Sequence, residues 1–139
     1  MSDQAIQNEK HVADVMHRGV ITCKTHTLLK ELVRIITDTD VHGLVVTDDH
    51  GMVAGVVSHM DLLSHYGENL LLFRAEDVMT RDVICIKPEA TLREAVSLML
   101  KHNIRRVLVV EETPEGNKPI GVVSTTDVMR EMRDQPWFW

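Results

Sequence analysis

Short apolar runs and helical stripes alternate along this chain, and the alternation occurs twice. Val20-Ile21-Thr22-Cys23 and Val83-Ile84-Cys85-Ile86 are β-rich runs that predict a strand at the head of each copy. Helical spacing follows, with Leu29, Leu32, Val33 and Ile36 in the first copy and Leu92, Ala95, Val96, Met99 and Leu100 in the second. Thr91-Leu92-Arg93-Glu94 is a capping box that starts the second of these helices; the first copy lacks one, and Thr27 is its nearest substitute. Leu44-Val45-Val46-Thr47 and Val107-Leu108-Val109-Val110 are continuous apolar runs suited to strands buried on both faces. A third strand, 53–57 or 120–123, then runs into a helix opened by Ser58 or Ser124.

The repetition extends to individual residues. Asp14-Val15-Met16 returns as Asp77-Val78-Met79, and Gly55-Val56-Val57-Ser58-His59-Met60-Asp61 returns as Gly121-Val122-Val123-Ser124-Thr125-Thr126-Asp127. The offset is 63 residues at Met16 and Met79 but 66 at Asp61 and Asp127, so three extra residues enter the second copy. They fall within 111–119, predicted to be a longer and more mobile loop than the compact turn Asp48-Asp49-His50-Gly51. Each copy reads strand, helix, strand, strand, helix, a unit that must pack against its twin. The expected organisation is an N-terminal segment 1–11, a first repeat 12–66, a linker 67–74, a second repeat 75–132 and a tail 133–139. Residues 2–15 are expected to contribute a helix, and Leu70-Leu71-Leu72-Phe73 to make the linker a packed one.

Bulk composition narrows the functional classes. A chain of 139 residues with 44% hydrophobic and 26% charged residues suits one globular domain with a real core. A net charge of −6 argues against a nucleic-acid binder, which needs a concentrated basic face. No apolar run approaches membrane-spanning length, and the polar first ten residues lack a signal peptide's apolar stretch. Cys23 and Cys85 lie in strand-like runs without a Cys-x-x-Cys pattern, so buried free thiols in a cytoplasmic protein are expected.

Candidate chemistry centres on Ser58-x-x-Asp61 and Ser124-x-x-Asp127. Read alone, each is a helix cap, with serine bonding an orphan amide and aspartate favouring the positive helix end. Both copies nevertheless use Asp where Glu or Gln better completes a capping box, and both place glycine three residues before the serine. A short carboxylate there can accept paired hydrogen bonds from a vicinal diol, and the nearby amides and hydroxyl can meet phosphate. Arg105 and Arg106 stand directly before a buried strand, where His42-Gly43 stands in the first copy. Charge in that position needs solvent, a carboxylate or an anionic ligand, and arginine's planar fork suits phosphate. The eight histidines form no H-x-x-x-H pair, so metal binding would need ligands gathered from separate elements. His59, in the motif turn, reads as exposed, and the eight methionines read mostly as core. No nucleophile with its base is visible. Trp137-Phe138-Trp139 cannot all point inward from one short segment, and docking on a partner subunit is the favoured reading.

The Asp-Val-Met landmarks, the Ile104-Arg105-Arg106-Val107 passage and the two Gly-Val-Val-Ser-x-x-Asp motifs resemble the cystathionine-β-synthase (CBS) domain. Two copies together resemble the paired Bateman module, and the resemblance covers about 12–132, which suggests a free-standing pair. It implies an α/β (α+β) fold of two βαββα-type repeats packed sheet to sheet about a pseudo-two-fold axis, with a cleft on either side. In related CBS pairs the motif aspartate binds the ribose hydroxyls of an adenosine ligand, which assigns ribose and phosphate contacts to Ser58, Asp61, Ser124, Asp127, His42, Arg105 and Arg106. The adenine side would come from the opposite copy: Val20, Ile21, Thr22 and Val41 for the Asp127 cleft, Val83, Ile84, Cys85 and Ile104 for the Asp61 cleft, with Ile120 also on the adenine side. The resemblance further implies a homodimer and a regulatory role, with an adenine nucleotide as ligand, no required cofactor and no enzymatic activity. The rival readings are a ligand-free dimerisation module and, behind it, a nucleic-acid or metal binder.

Overall fold

The computed structural model describes residues 9–134. Within these residues, six α-helices and seven strands run in the order α1 (Val12–Val15), β1 (His17–Arg18), β2 (Thr22–Lys24), α2 (Leu29–Thr39), β3 (Gly43–Thr47), β4 (Val53–Ser58), α3 (His59–Leu63), α4 (Ala75–Val78), β5 (Cys85–Ile86), α5 (Leu92–His102), β6 (Arg106–Thr113), β7 (Gly116–Ser124) and α6 (Thr125–Arg133). A 3₁₀ turn, Leu70–Leu72, precedes α4. The described residues divide into two compact units, one of residues 9–19, 84–112 and 120–134, the other of residues 20–83 and 113–119. The mixed α/β architecture with two sheets is the one expected.

In the unit built on the first copy, β3 lies between β2, which it pairs in parallel, and β4, which it pairs antiparallel. In the unit built on the second copy the strand order is β1-β7-β6-β5, with β5 parallel to β6 and β1 antiparallel to β7. The apolar runs become these central strands because a strand covered on both faces buries every side chain: Leu44 to Thr47 are buried, and so are Val107 to Val110. Equivalent residues fill equivalent places in the two cores, Leu29 and Leu92, Ile36 and Met99, Val46 and Val109, Val57 and Val123. Each fully buried aliphatic side chain contributes about 1.5–3 kcal/mol relative to exposure.

The segment that precedes each copy packs with the unit of the other. Val12 is fully buried in the second-copy core and Ala75 in the first-copy core. Matched backbone bonds hold them, Val12 N–H to Ala90 C=O at 2.8 Å and Ala75 N–H to Thr27 C=O at 2.8 Å. This gives the Asp-Val-Met landmark its physical meaning. Asp14 and Asp77 accept the amides of His11 and Arg74 and close the short helical turn. Val15 and Val78 pack on the cores. Met79 lies over Gly55, where a Cβ would come within 2.7 Å of its sulfur and of the Thr80 carbonyl oxygen. Met16 and the His17 carbonyl crowd Gly121 in the same way. The motif glycines are therefore spacers for a neighbouring backbone.

Two local expectations change. Residues 111–119 form strand rather than a loop, since β6 continues to Thr113 and β7 begins at Gly116. Only Pro114 and Glu115 connect neighbouring strands, a length that suits an antiparallel hairpin. Pairing satisfies backbone groups that a loop would leave to water. Thr27 does not cap α2; its hydroxyl accepts the Lys24 amide at 3.0 Å, and the orphan Leu29 amide donates to the Phe73 carbonyl at 3.0 Å. Thr91 does cap α5, with its hydroxyl accepting the Glu94 amide at 3.1 Å. Of the linker apolar run, Leu70 and Phe73 pack on the core while Leu71 and Leu72 are exposed. The helix expected in 2–15 is described only as α1, and its earlier part lies outside the described residues, as does the tail Trp137-Phe138-Trp139.

Candidate functional site

Both serine-aspartate turns form at the end of the last strand of their copy, and both are complete capping boxes. Ser58 donates its amide (2.8 Å) and its hydroxyl (3.0 Å) to Asp61 Oδ2, and the Asp61 amide donates back to Ser58 Oγ at 3.3 Å. Ser124 and Asp127 repeat this geometry at 2.8, 3.0 and 3.3 Å. Capping thus occupies one carboxylate oxygen, Oδ2, and a ligand role falls to the other.

At Oδ1 the copies differ. Asp127 is 3% exposed, and its Oδ1 accepts hydrogen bonds from His17 Nε2 at 2.8 Å and Arg130 Nη1 at 3.1 Å. His17 must be the donor there, because an ionised carboxylate only accepts. Asp61 is half-buried, and no group among the described residues donates to its Oδ1. By repeat position, Thr80 stands where His17 does and Ser64 where Arg130 does. Ser64 donates instead to the Asp61 backbone carbonyl at 2.8 Å. His17 and Arg130 are the site-adjacent residues that motif reading missed; aligning the two copies beyond the motif was the signal that exposed the asymmetry.

The remaining candidates gather within their own units. In the first-copy unit, the Val41 carbonyl accepts a hydrogen bond from His59 Nε2 at 2.9 Å, and the His42 ring lies 5.8 Å from that of His59. Val20 and Val83 are half-buried there, while Ile21 and Thr22 are exposed, and the Ile21 carbonyl accepts the Val45 amide at 3.3 Å. In the second-copy unit, Ile84, Ile104 and Ile120 pack against the core, so each has a structural role whatever else it touches. The Arg105 carbonyl accepts the Thr125 amide at 2.9 Å, which ties it to the first turn of α6. The Arg105 and Arg106 side chains are exposed and form no ion pair with a carboxylate among the described residues, which leaves both guanidinium groups open to an anion.

Among the described residues, neither Cys23 nor Cys85 is in a disulfide. Burial pushes Cys23 from 9.0 up to about 11 and also raises Cys85, which makes both poor nucleophiles at neutral pH. Among the described residues no group of three or more His, Cys, Asp or Glu side chains could hold a metal ion, and no helix is long and apolar enough to cross a membrane. An apolar groove of about 400 Å³ lies along α2 and α3 of the first-copy unit, lined by Val33, Ile36, Leu62, Leu63, Tyr66 and Leu70 among others.

Comparison with known proteins gives the family of the chain. The family profile of the CBS domain matches residues 12–68 and again 75–134. An uncharacterised protein of Methanocaldococcus jannaschii is 34% identical over 115 residues, covering 73% of this chain and 67% of that one. An inosine-5'-monophosphate dehydrogenase of the same organism is 25% identical over 128 residues, 92% of this chain but only 25% of the dehydrogenase. The chain thus spans about a quarter of the length of that curated relative. Among solved structures, CBSX2 in complex with AMP superimposes with a TM-score of 0.74 at 27% identity, covering 88% of this chain and 96% of that one. A CBS domain pair in complex with 5'-methylthioadenosine and S-adenosyl-L-methionine gives the same fold, with a TM-score of 0.74 at 24% identity over 90% of this chain and 97% of that one. With two tandem matches spread over most of its length, this chain belongs to the CBS domain family, as a tandem pair.

Proposed function

We propose that this chain is a regulatory module that binds an adenosine-containing nucleotide of the AMP, ADP or ATP type and passes its occupancy to a partner protein. The observation that carries the reading is the Asp61 carboxylate, which is fixed in place through Oδ2 by the Ser58 cap while Oδ1 meets no donor among the described residues. A held carboxylate with acceptor capacity to spare suits the paired hydroxyls of a ribose. The exposed Arg105 and Arg106, without carboxylate partners, supply positive charge for phosphate, with His42 as the lesser counterpart in the first copy. Val20, Ile21, Thr22, Val41, Val83, Ile84, Cys85, Ile104 and Ile120 are retained as the adenine-side residues, where apolar faces and backbone groups suit a purine. The similarity to CBSX2, whose structure is a complex with AMP, supports the ligand class.

Regulation rather than catalysis fits two thiols of raised pKa, Cys23 buried and Cys85 half-buried, and a carboxylate pair that caps helices through Oδ2. A ligand acts on the partner only through its differential affinity for two states of the module. Exposed Met60, Leu63 and Tyr66 beside the first-copy groove support homodimerisation, and two cysteines outside any disulfide fit a cytoplasmic setting. The test is the melting temperature with AMP, ADP, ATP and S-adenosylmethionine. A ligand at a hundred times its dissociation constant adds about 2.7 kcal/mol if it binds only the folded form. A response to at least one of them is expected. A flat response to all, with the dimer intact, would favour a ligand-free interaction module.

A further inference from the structure

The repeat is symmetric in its core and asymmetric at one atom, the Oδ1 oxygen of the motif aspartate. A carboxylate offers about four lone-pair positions. Around Asp127 all of them are used: Ser124 fills Oδ2 with its amide and hydroxyl, and His17 and Arg130 fill Oδ1. Around Asp61 only the two on Oδ2 are used among the described residues. A ribose diol must donate to the free oxygen, so at Asp127 it has to displace two donors of the protein's own. Both donors are held by elements that do not depend on a ligand. His17 lies on β1, where it stands opposite Val122 in the antiparallel pairing with β7, and Arg130 sits one helical turn beyond Asp127 on α6.

We propose that His17 and Arg130 close the Asp127 carboxylate to ribose, so that the chain takes one nucleotide through Asp61 and the second aspartate loads only when this pair is removed or displaced. This rests on the reading that these aspartates hold a ribose. It adds to that reading two residues, His17 and Arg130, that decide which of two near-identical motifs is competent. Their side chains are 70% and 56% exposed, so replacing them leaves the core and the β1 backbone pairing in place.

The experiment is calorimetric titration with AMP of the parent chain and of the double variant His17→Thr plus Arg130→Ser, which copies Thr80 and Ser64 of the first-copy unit. The parent is expected to bind one AMP per chain and the double variant two. The new site should be tighter than any residual second site of the parent by about tenfold or more, the scale of a charge-assisted hydrogen bond. Asp127→Asn added to the double variant should return it to one. Should the double variant fold poorly, the single variants His17→Thr and Arg130→Ser decide, because each frees one lone-pair position on Asp127 Oδ1 and should tighten a second AMP site beyond any in the parent. Two equal sites in the parent, one site in the folded double variant, or no gain of a second site in either folded single variant would overturn the proposal while leaving nucleotide binding standing. No AMP binding to either protein would overturn both.

Discussion

Replacing Gly55 by alanine tests the packing that joins the Asp-Val-Met landmark to the Gly-Val-Val-Ser motif. The added Cβ would lie 2.7 Å from the Thr80 carbonyl oxygen, 2.7 Å from Met79 Sδ and 2.9 Å from Met79 Cγ. The thioether can swing aside, but the carbonyl cannot move freely. It accepts the Val56 amide at 3.0 Å while the Thr80 amide donates back to Val56 at 2.9 Å. Ordinary contact begins at 3.4 Å, about 0.7 Å farther, and reaching it strains both bonds or tilts β4. Overpacking of this kind costs about 1–3 kcal/mol. Partial loss of two backbone bonds brings the total to about 2–4 kcal/mol. For a chain of this size that is a fall of about 6–12 °C in melting temperature. Urea unfolding followed by circular dichroism measures it directly, with Gly67→Ala as the comparison. Gly67 has φ +88° and nothing within 4 Å of an added Cβ, so its cost is backbone strain alone. Combining Gly55→Ala with Met79→Ala should show a coupling below about 1 kcal/mol, since the carbonyl contact remains. A Gly55→Ala variant within about 0.5 kcal/mol of the parent would refute the spacer argument.

Other expectations follow from the same structure. Thr91→Ala removes a side-chain cap and should cost about 1 kcal/mol, whereas Thr27→Ala should leave α2 intact, because its first amide is met by Phe73; amide exchange at the two helix starts distinguishes them. Burial favours the neutral Cys23 thiol in the folded state, so its contribution to stability is present below pH 9.0 and lost as pH rises through about 11. The stability difference between the parent and Cys23→Ala should therefore shift against the parent across that window, and Ellman's reagent should react slowly with the native chain and quickly in guanidinium. Leu63→Asp, at an exposed position lining the groove, should convert the proposed homodimer to monomer by light scattering without lowering nucleotide affinity.

Much of the architecture was legible in the pattern of apolar residues. The continuous runs at Leu44 and Val107 became central strands because burial on both faces leaves no place for polar alternation. The stripes from Leu29 and Leu92 became the two eleven-residue helices. What escaped depended on contacts distant in sequence. Asp-Val-Met reads as a local turn, and nothing in its spacing says that Val12 and Ala75 pack with the unit of the other copy. The polar residues of 111–119 look like loop until strand pairing accounts for their backbone groups. At the candidate site, the serine-aspartate turns were visible as caps because capping is local. The closure of Asp127 was not, because His17 is 110 residues away and carries no motif of its own.

The most direct test of the account is the affinity for AMP of Asp61→Asn beside the parent. Asparagine keeps an oxygen to accept the Ser58 amide, so the turn and the melting temperature should be preserved. With that oxygen held by the cap, an amide NH2 replaces the open, charged Oδ1, so the ribose loses its charge-assisted bonds. AMP binding should weaken at least about tenfold at unchanged stability. Unchanged affinity in a folded Asp61→Asn protein would contradict the claim that this carboxylate holds the ligand.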